Sequence, residues 1–100
     1  MHSNSLKNKN VIITGCNKGI GKATLEDFAK NGANIFACVR NITNDFKIFI
    51  TKLKKKYQIN IEVIKLDLSN TSSISKSVDH IYKINKNIDI LVNNAGMLFN

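Results

Sequence analysis

The chain has no proline among its 100 residues, only two cysteines, and only seven acidic side chains against fifteen Lys and Arg. Cys16 and Cys38 form no C-x-x-C pair and are too few for a disulfide-stapled secreted scaffold. Long apolar runs are also missing. Residues 11–13 and 35–39 fall far short of the ~18–20 residues of a membrane span. Residues 1–10 are polar and lack the apolar stretch of a signal peptide. These absences together point to a reduced, cytoplasmic setting with no membrane partner. No low-complexity segment, repeat or linker interrupts the chain, so residues 1–100 read as a single unit, with no second domain. At 43% hydrophobic and 22% charged residues it is too apolar for intrinsic disorder.

The scarcity of acids leaves a formal net charge of +8, which raises nucleic acid as a partner. Lys, Asn and Ile are abundant throughout, however, which reads as a global bias. Residues 54–56 form the single lysine cluster, placed where a helix is expected to end and cations suit its dipole. No aromatic residues interleave with the basic ones to stack bases. The charge therefore predicts no nucleic-acid partner.

What the chain does have is alternation. Residues 11–14 are a short apolar run ending at Gly15, as a strand covered on both faces would be. Residues 19–31 predict a helix with Ile20, Ala23, Thr24 and Phe28 on its inner face, stopped by Gly32. Residues 34–39 predict a second strand. Phe46, Phe49, Ile50 and Leu53 fall at i, i+3, i+4 and i+7 of an amphipathic helix, with Asp45 available to cap it. Residues 59–68 read as a third strand. Asn70 suits the cap of a third helix with Ile74, Val78 and Ile81 on one side, and residues 88–92 read as a fourth strand. The order βαβαβαβ predicts an α/β fold in which parallel strands are joined by right-handed helical crossovers.

The first strand runs through Thr14-Gly15-Cys16-Asn17-Lys18-Gly19-Ile20-Gly21 straight into a helix. Glycines there let backbone approach a ligand and let helix and strand pack closely. The helix start offers unpaired N–H groups and a partial positive charge, so a pyrophosphate is favoured. No Lys-Ser or Lys-Thr follows the last glycine, which excludes a P-loop. A purely conformational glycine turn is the plain alternative.

The spacing G-x-x-x-G-x-G, together with Asn93-Asn94-Ala95-Gly96 after the fourth strand, resembles the short-chain dehydrogenase/reductase family. Within it the wording is similar to the bacterial 3-oxoacyl-acyl-carrier-protein reductases. The resemblance runs from Lys9 onward and implies a Rossmann-type, doubly wound parallel sheet, of which this chain holds the βαβαβαβ portion. It implies an oxidoreductase moving hydride between a nicotinamide cofactor and a small-molecule carbonyl or alcohol, 3-oxoacyl thioesters among them. The intact parent is then expected to be a homo-oligomer.

Carried over residue by residue, the family pattern assigns Gly15, Asn17, Lys18, Gly19, Ile20 and Gly21 to the cofactor's phosphates. Asp67 and Leu68 fall where the family holds the adenine, and Asn94, Ala95 and Gly96 where it passes the adenosine side. Asn93 reads better as a tie between neighbouring backbones. An acidic residue after the second strand would select NAD(H), whereas a basic one accommodates the 2′-phosphate of NADP(H). This chain has Arg40 there and Lys18 before the second glycine, so NADP(H) is expected rather than NAD(H). Arg40 as a solvated loop arginine and Asp67 as a plain strand-end carboxylate are the alternatives.

The family's catalytic Ser and Tyr-x-x-x-Lys are expected beyond Asn100, so no catalytic residue is assigned. Tyr57 has Ile61 at the lysine position, and Tyr82 with Lys86 lies on a crossover away from the family site. His2 and His80 are isolated, and no metal is expected. Cys16 lies near a helix start, which could lower its pKa, but reads better as a small buried side chain, and Cys38 as core. The chain thus reads as the first half of a reductase. A non-catalytic nucleotide-binding fragment or remnant, and a basic nucleic-acid binder, stand as the other readings.

Overall fold

The structure, a computed structural model, describes residues 4–84 and 87–94. Strand β1 (Asn10–Thr14) leads into helix α1 (Gly19–Lys30), followed by β2 (Asn34–Val39) and α2 (Asn44–Tyr57). Then come β3 (Ile61–Lys65), α3 (Thr71–Ile84) and β4 (Ile90–Asn93). The four strands form one parallel sheet in the order β3-β2-β1-β4. The chain steps outward from β1 to β3 and then crosses back to the other side of β1. Helices α1 and α2 lie on one face and α3 on the other, so the sheet is doubly wound, as the alternation predicts.

Burial on both faces explains why β2 is a continuous apolar run. On the α1–α2 face, Val11, Ile13, Ile35, Ala37 and Val39 meet Leu25, Ala29, Phe46, Ile50 and Leu53. On the α3 face the buried set is Phe36, Cys38, Ile64 and Ile81, with Ile12 partly buried beside it. Leu91 of β4 is 65% exposed.

Several boundaries and faces differ from the sequence expectation. Strand β3 is five residues, not residues 59–68, because its partner β2 ends at Val39; the last rung is Leu66 N–H to the Val39 carbonyl. Strand β4 begins at Ile90 rather than 88. Helix α1 buries Gly21, Leu25 and Ala29, not Ile20 and Ala23, and Ile20 is 71% exposed. The small residues turn inward because Gly21 sits against the backbone of the preceding bend. In α3 the buried residues are Ile81, as expected, and Ser77, whose hydroxyl donates to the Lys65 carbonyl at 3.0 Å, while Val78 faces outward.

Helix ends follow their chemistry. Thr43, not Asp45, caps α2: its Oγ1 accepts from the Phe46 N–H at 3.1 Å. Asn70 caps α3 as expected, accepting from the Ser73 N–H at 3.2 Å. Lys54, Lys55 and Lys56 occupy the last turn of α2, where they suit the helix dipole. Lys22 of α1 lies 4.6 Å from the centre of the Phe49 ring and joins the two helices through a cation–π contact.

Helix α2 stops at Gln58 in the left-handed region, φ 53° and ψ 52°. A Cβ there costs about 1–2 kcal/mol, part of which glycine returns in chain entropy. Gln58→Gly is therefore expected to stabilise the protein by roughly 0.5–1 kcal/mol. A rise in the urea midpoint with unchanged slope checks it, and a fall contradicts it.

Candidate cofactor site

All four strands end at one edge of the sheet, and the described residues that the sequence assigns to the cofactor lie in the segments leaving that edge. After Thr14 the chain bends through Gly15, held at φ 60° with its N–H donating to the Cys38 carbonyl at 3.0 Å. Asn17, Lys18, Gly19 and Ile20 form the exposed crest. Gly19 has φ 58°, and a Cβ there would meet nothing within 4 Å, so its demand is for backbone conformation alone. Gly21 is different. A Cβ at Gly21 would drive into the Gly15 carbonyl oxygen and lie 2.9 Å from its carbon. That contact sets how closely α1 approaches the end of β1.

Helix α1 begins on Lys18, which is extended and makes no side-chain cap, and no acidic residue lies in its first turn. Helices α2 and α3 are capped by Thr43 and Asn70. The first amides of α1 therefore face outward with the positive end of the dipole and no capping side chain.

Where the strand order reverses, β1 and β4 are tied by one hydroxyl. Thr14 Oγ1 donates to Asn93 Oδ1 at 2.8 Å and accepts from the Asn94 N–H at 3.1 Å. The Asn93 side chain thus meets a side chain of β1, and it is the Thr14 hydroxyl that reaches the neighbouring backbone. The Asn94 amide nitrogen Nδ2 is buried and has no hydrogen-bond partner among the described residues. Replacing Thr14 with valine keeps the shape but strands the Asn94 N–H and Asn93 Oδ1. The expected cost is about 1–3 kcal/mol, read as a drop in urea stability. An unchanged midpoint contradicts the tie.

Arg40, directly after β2, is exposed, and its Nε lies 4.0 Å from Asp67 Oδ2 after β3. The Asp67 carboxyl is held below its ordinary range mainly by the Ser69 side chain and then by the Ser69 N–H, with Arg40 and Lys65 adding less. Ser69 donates to Oδ1 from its hydroxyl at 2.6 Å and its N–H at 3.0 Å. The Asp67 N–H in turn donates to Ser73 Oγ at 3.1 Å. Leu68 beside it is half exposed. Arg40 and Asp67 thus form one cluster, and Lys18 lies on the exposed crest of the bend. Ala95 and Gly96 lie outside the described residues, as do His2, Lys86 and Asn100.

Burial pushes the Cys16 thiol up to about 12, with the neighbouring Cys38 adding to it, and pushes Cys38 up to about 12 as well. Neither is a thiolate nucleophile, and Cys16 is the small buried residue of the bend. His80 Nε2 lies 3.2 Å from Glu62 Oε2 on the surface. Tyr82 is half exposed on α3. A groove of about 550 Å³ lined by Lys65, Ser73, Lys76, Ser77 and His80 runs between α3 and β3, sharing Asp67 with the cluster above.

A sequence reading that stopped at the motifs overlooked Ser69, Ser73 and the hydroxyl of Thr14. The Asp67-x-Ser69 spacing is an Asx-turn signal that could have found Ser69. The Thr14–Asn94 bond spans the chain and follows only once β1 and β4 are known to be neighbours.

Strand order 3-2-1-4 with helices on both faces defines a Rossmann-type α/β protein. The chain belongs to the short-chain dehydrogenase family, whose family model matches residues 9–100. It is 35% identical over 95 residues to an uncharacterized oxidoreductase of Schizosaccharomyces pombe, covering 95% of this chain and 36% of that protein. It is 37% identical over 90 residues to the 3-oxoacyl-acyl-carrier-protein reductase of Buchnera aphidicola, covering 90% of this chain and 35% of that protein. Among solved structures it matches L-sorbose reductase from Gluconobacter frateurii, complexed with NADPH and L-sorbose. There the TM-score is 0.83 at 30% identity, over 93% of this chain and 35% of that one. The chain spans about a third of the length of these relatives.

Proposed function

We propose that this chain is the cofactor-binding portion of an NADP(H)-dependent oxidoreductase that moves hydride between nicotinamide and a carbonyl or alcohol. The observation that carries the reading is the start of α1. It lacks the side-chain cap that α2 and α3 have, and it is pressed against β1 by a glycine whose Cβ the backbone would not admit. Outward N–H groups at such an end suit a pyrophosphate. Gly15, Asn17, Lys18, Gly19, Ile20 and Gly21 would cradle it, with Lys18 adding a charge from the crest.

Arg40 would meet the 2′-phosphate with its planar fork, which favours NADP(H) over NAD(H). Asp67 would accept from the adenine amino group and Leu68 would line the ring. Asn94, and Ala95 and Gly96 after it, would pass the adenosine side. The buried Asn94 Nδ2 fits a donor kept for a ligand, since leaving one unpaired costs about 1–3 kcal/mol. The cofactor, once bound, supplies the hydride; these residues bind and orient it. Of the relatives named above, one is a 3-oxoacyl-acyl-carrier-protein reductase and another an L-sorbose reductase; both names fit a carbonyl substrate, of which a 3-oxoacyl thioester is our specific candidate. By the same resemblance the protein would act as a homo-oligomer.

Fluorescence titration with NADPH and NADH tests the reading. Saturable binding of NADPH, tighter than NADH, is the expected result. Folded protein that ignores both nucleotides overturns it.

A further inference from the structure

The chain contains one Asn-Gly dipeptide, Asn31-Gly32, at the junction of α1 and β2. In a flexible chain an asparagine before glycine is chemically labile, because no Cβ shields the glycine nitrogen. The Gly32 nitrogen attacks Asn31 Cγ and closes a succinimide ring. The Cγ–Nδ2 bond breaks, and ammonia leaves with the proton shed from the Gly32 nitrogen. Water then opens the ring at either carbonyl, giving aspartate or isoaspartate.

We propose that Asn31-Gly32 is a latent deamidation site, kept unreacted by residues 4–7 and released when that segment detaches. Ring closure requires the Asn31–Gly32 peptide plane to turn away from its observed ψ of 9°. Both ends of that plane are bound. The Asn31 carbonyl accepts from the Leu6 N–H at 2.8 Å, and the Gly32 N–H donates to the Ala29 carbonyl at 3.0 Å. The side chain is bound at both ends as well. Its Nδ2 donates to the Asp27 carbonyl at 2.8 Å, and its Oδ1 accepts from Ser5 Oγ at 3.1 Å. Residues 4–7 also lie over Gly32: a Cβ there would sit 3.3 Å from Asn4 Oδ1 and 3.6 Å from the Lys7 nitrogen.

The attacking nitrogen and the attacked amide are therefore each tied in place, and two of the four bonds come from the N-terminal segment. Such a segment opens more readily than the sheet. The product would not fit where the reactant does. A carboxylate cannot donate to the Asp27 carbonyl, and it adds negative charge at a helix C-terminus. Isoaspartate also adds an atom to the backbone just before β2.

The test is the rate of deamidation, followed by peptide mass and isoaspartate content at mildly alkaline pH. The protein is compared with a synthetic peptide of residues 27–36. We expect Asn31 to react about ten- to a hundredfold more slowly in the protein. Concentrated urea should abolish the difference. Ser5→Ala, an exposed change, should speed the reaction about three- to tenfold while leaving the far-ultraviolet spectrum unchanged. Equal rates in protein and peptide overturn the proposal, whether the protein shows a cooperative urea transition or none, since the restraint requires the fold. A Ser5→Ala rate equal to the parent's overturns the part assigned to the N-terminal segment.

Discussion

Gly21→Ala is expected to weaken NADPH binding by at least about a hundredfold and to lower stability by about 1–3 kcal/mol. The added methyl would meet the Gly15 carbonyl, and the atoms in its way are backbone, with no flexible side chain to swing aside. Relief requires α1 to move off the end of β1, which carries its first amides away from the position the bend gives them. Gly19→Ala is the control. Its Cβ would meet nothing within 4 Å, and its cost is limited to the positive φ of 58°, about 1–2 kcal/mol. Titration with NADPH beside a urea melt separates the two effects. If Gly21→Ala binds and melts like the parent, the close approach of helix and strand is not what builds the site. If Gly19→Ala loses as much affinity as Gly21→Ala, conformation alone governs the bend.

Much of this arrangement was legible before the structure, and the reasons are local. The T-G-x-x-x-G-x-G run is contiguous, so its place between β1 and α1 follows from reading along the chain. Arg40 was found in the same way, as the first residue after an apolar strand. The inner face of α1 was misread because Ile20 and Ala23 are apolar, whereas the side that packs inward is chosen by Gly21. A period-counting argument sees hydrophobicity and cannot see that a missing side chain is what the sheet accepts. The length of β3 was overestimated for a related reason. Ile59 and Leu66 are apolar and do pack on the cores, but strand pairing lasts only as long as β2 does. Contacts between distant residues were the least legible. The Arg40–Asp67 and Thr14–Asn94 pairs depend on strand order, which hydrophobic patterning alone does not set.

Arg40→Ala is expected to lower the preference for NADPH over NADH by about one to two orders of magnitude, leaving NADH affinity nearly unchanged. The pair with Asp67 at 4.0 Å is long and exposed, so it leaves the guanidinium able to turn toward a phosphate. Ser69, more than Arg40, lowers the Asp67 carboxyl, and an aspartate is ionised near neutral pH even without that shift, so removing Arg40 should leave the carboxylate charged. Asp67→Asn then separates two roles. If Asp67 accepts from adenine, the change weakens NADPH and NADH alike; if it only tethers Arg40, the change alters their ratio. The pH dependence follows with a definite sign. A depressed carboxyl contributes above its unfolded value and loses that contribution only as pH falls through its lowered folded value, so Asp67 stays charged between about pH 5 and 8. The 2′-phosphate takes up a proton near pH 6, as phosphate monoesters do. Preference for NADPH should therefore fall as pH drops from about 7.5 to 5.5, and the fall should vanish in Arg40→Ala. A ratio that is flat in the parent, or that falls equally in both proteins, would place the recognition of the phosphate somewhere other than Arg40.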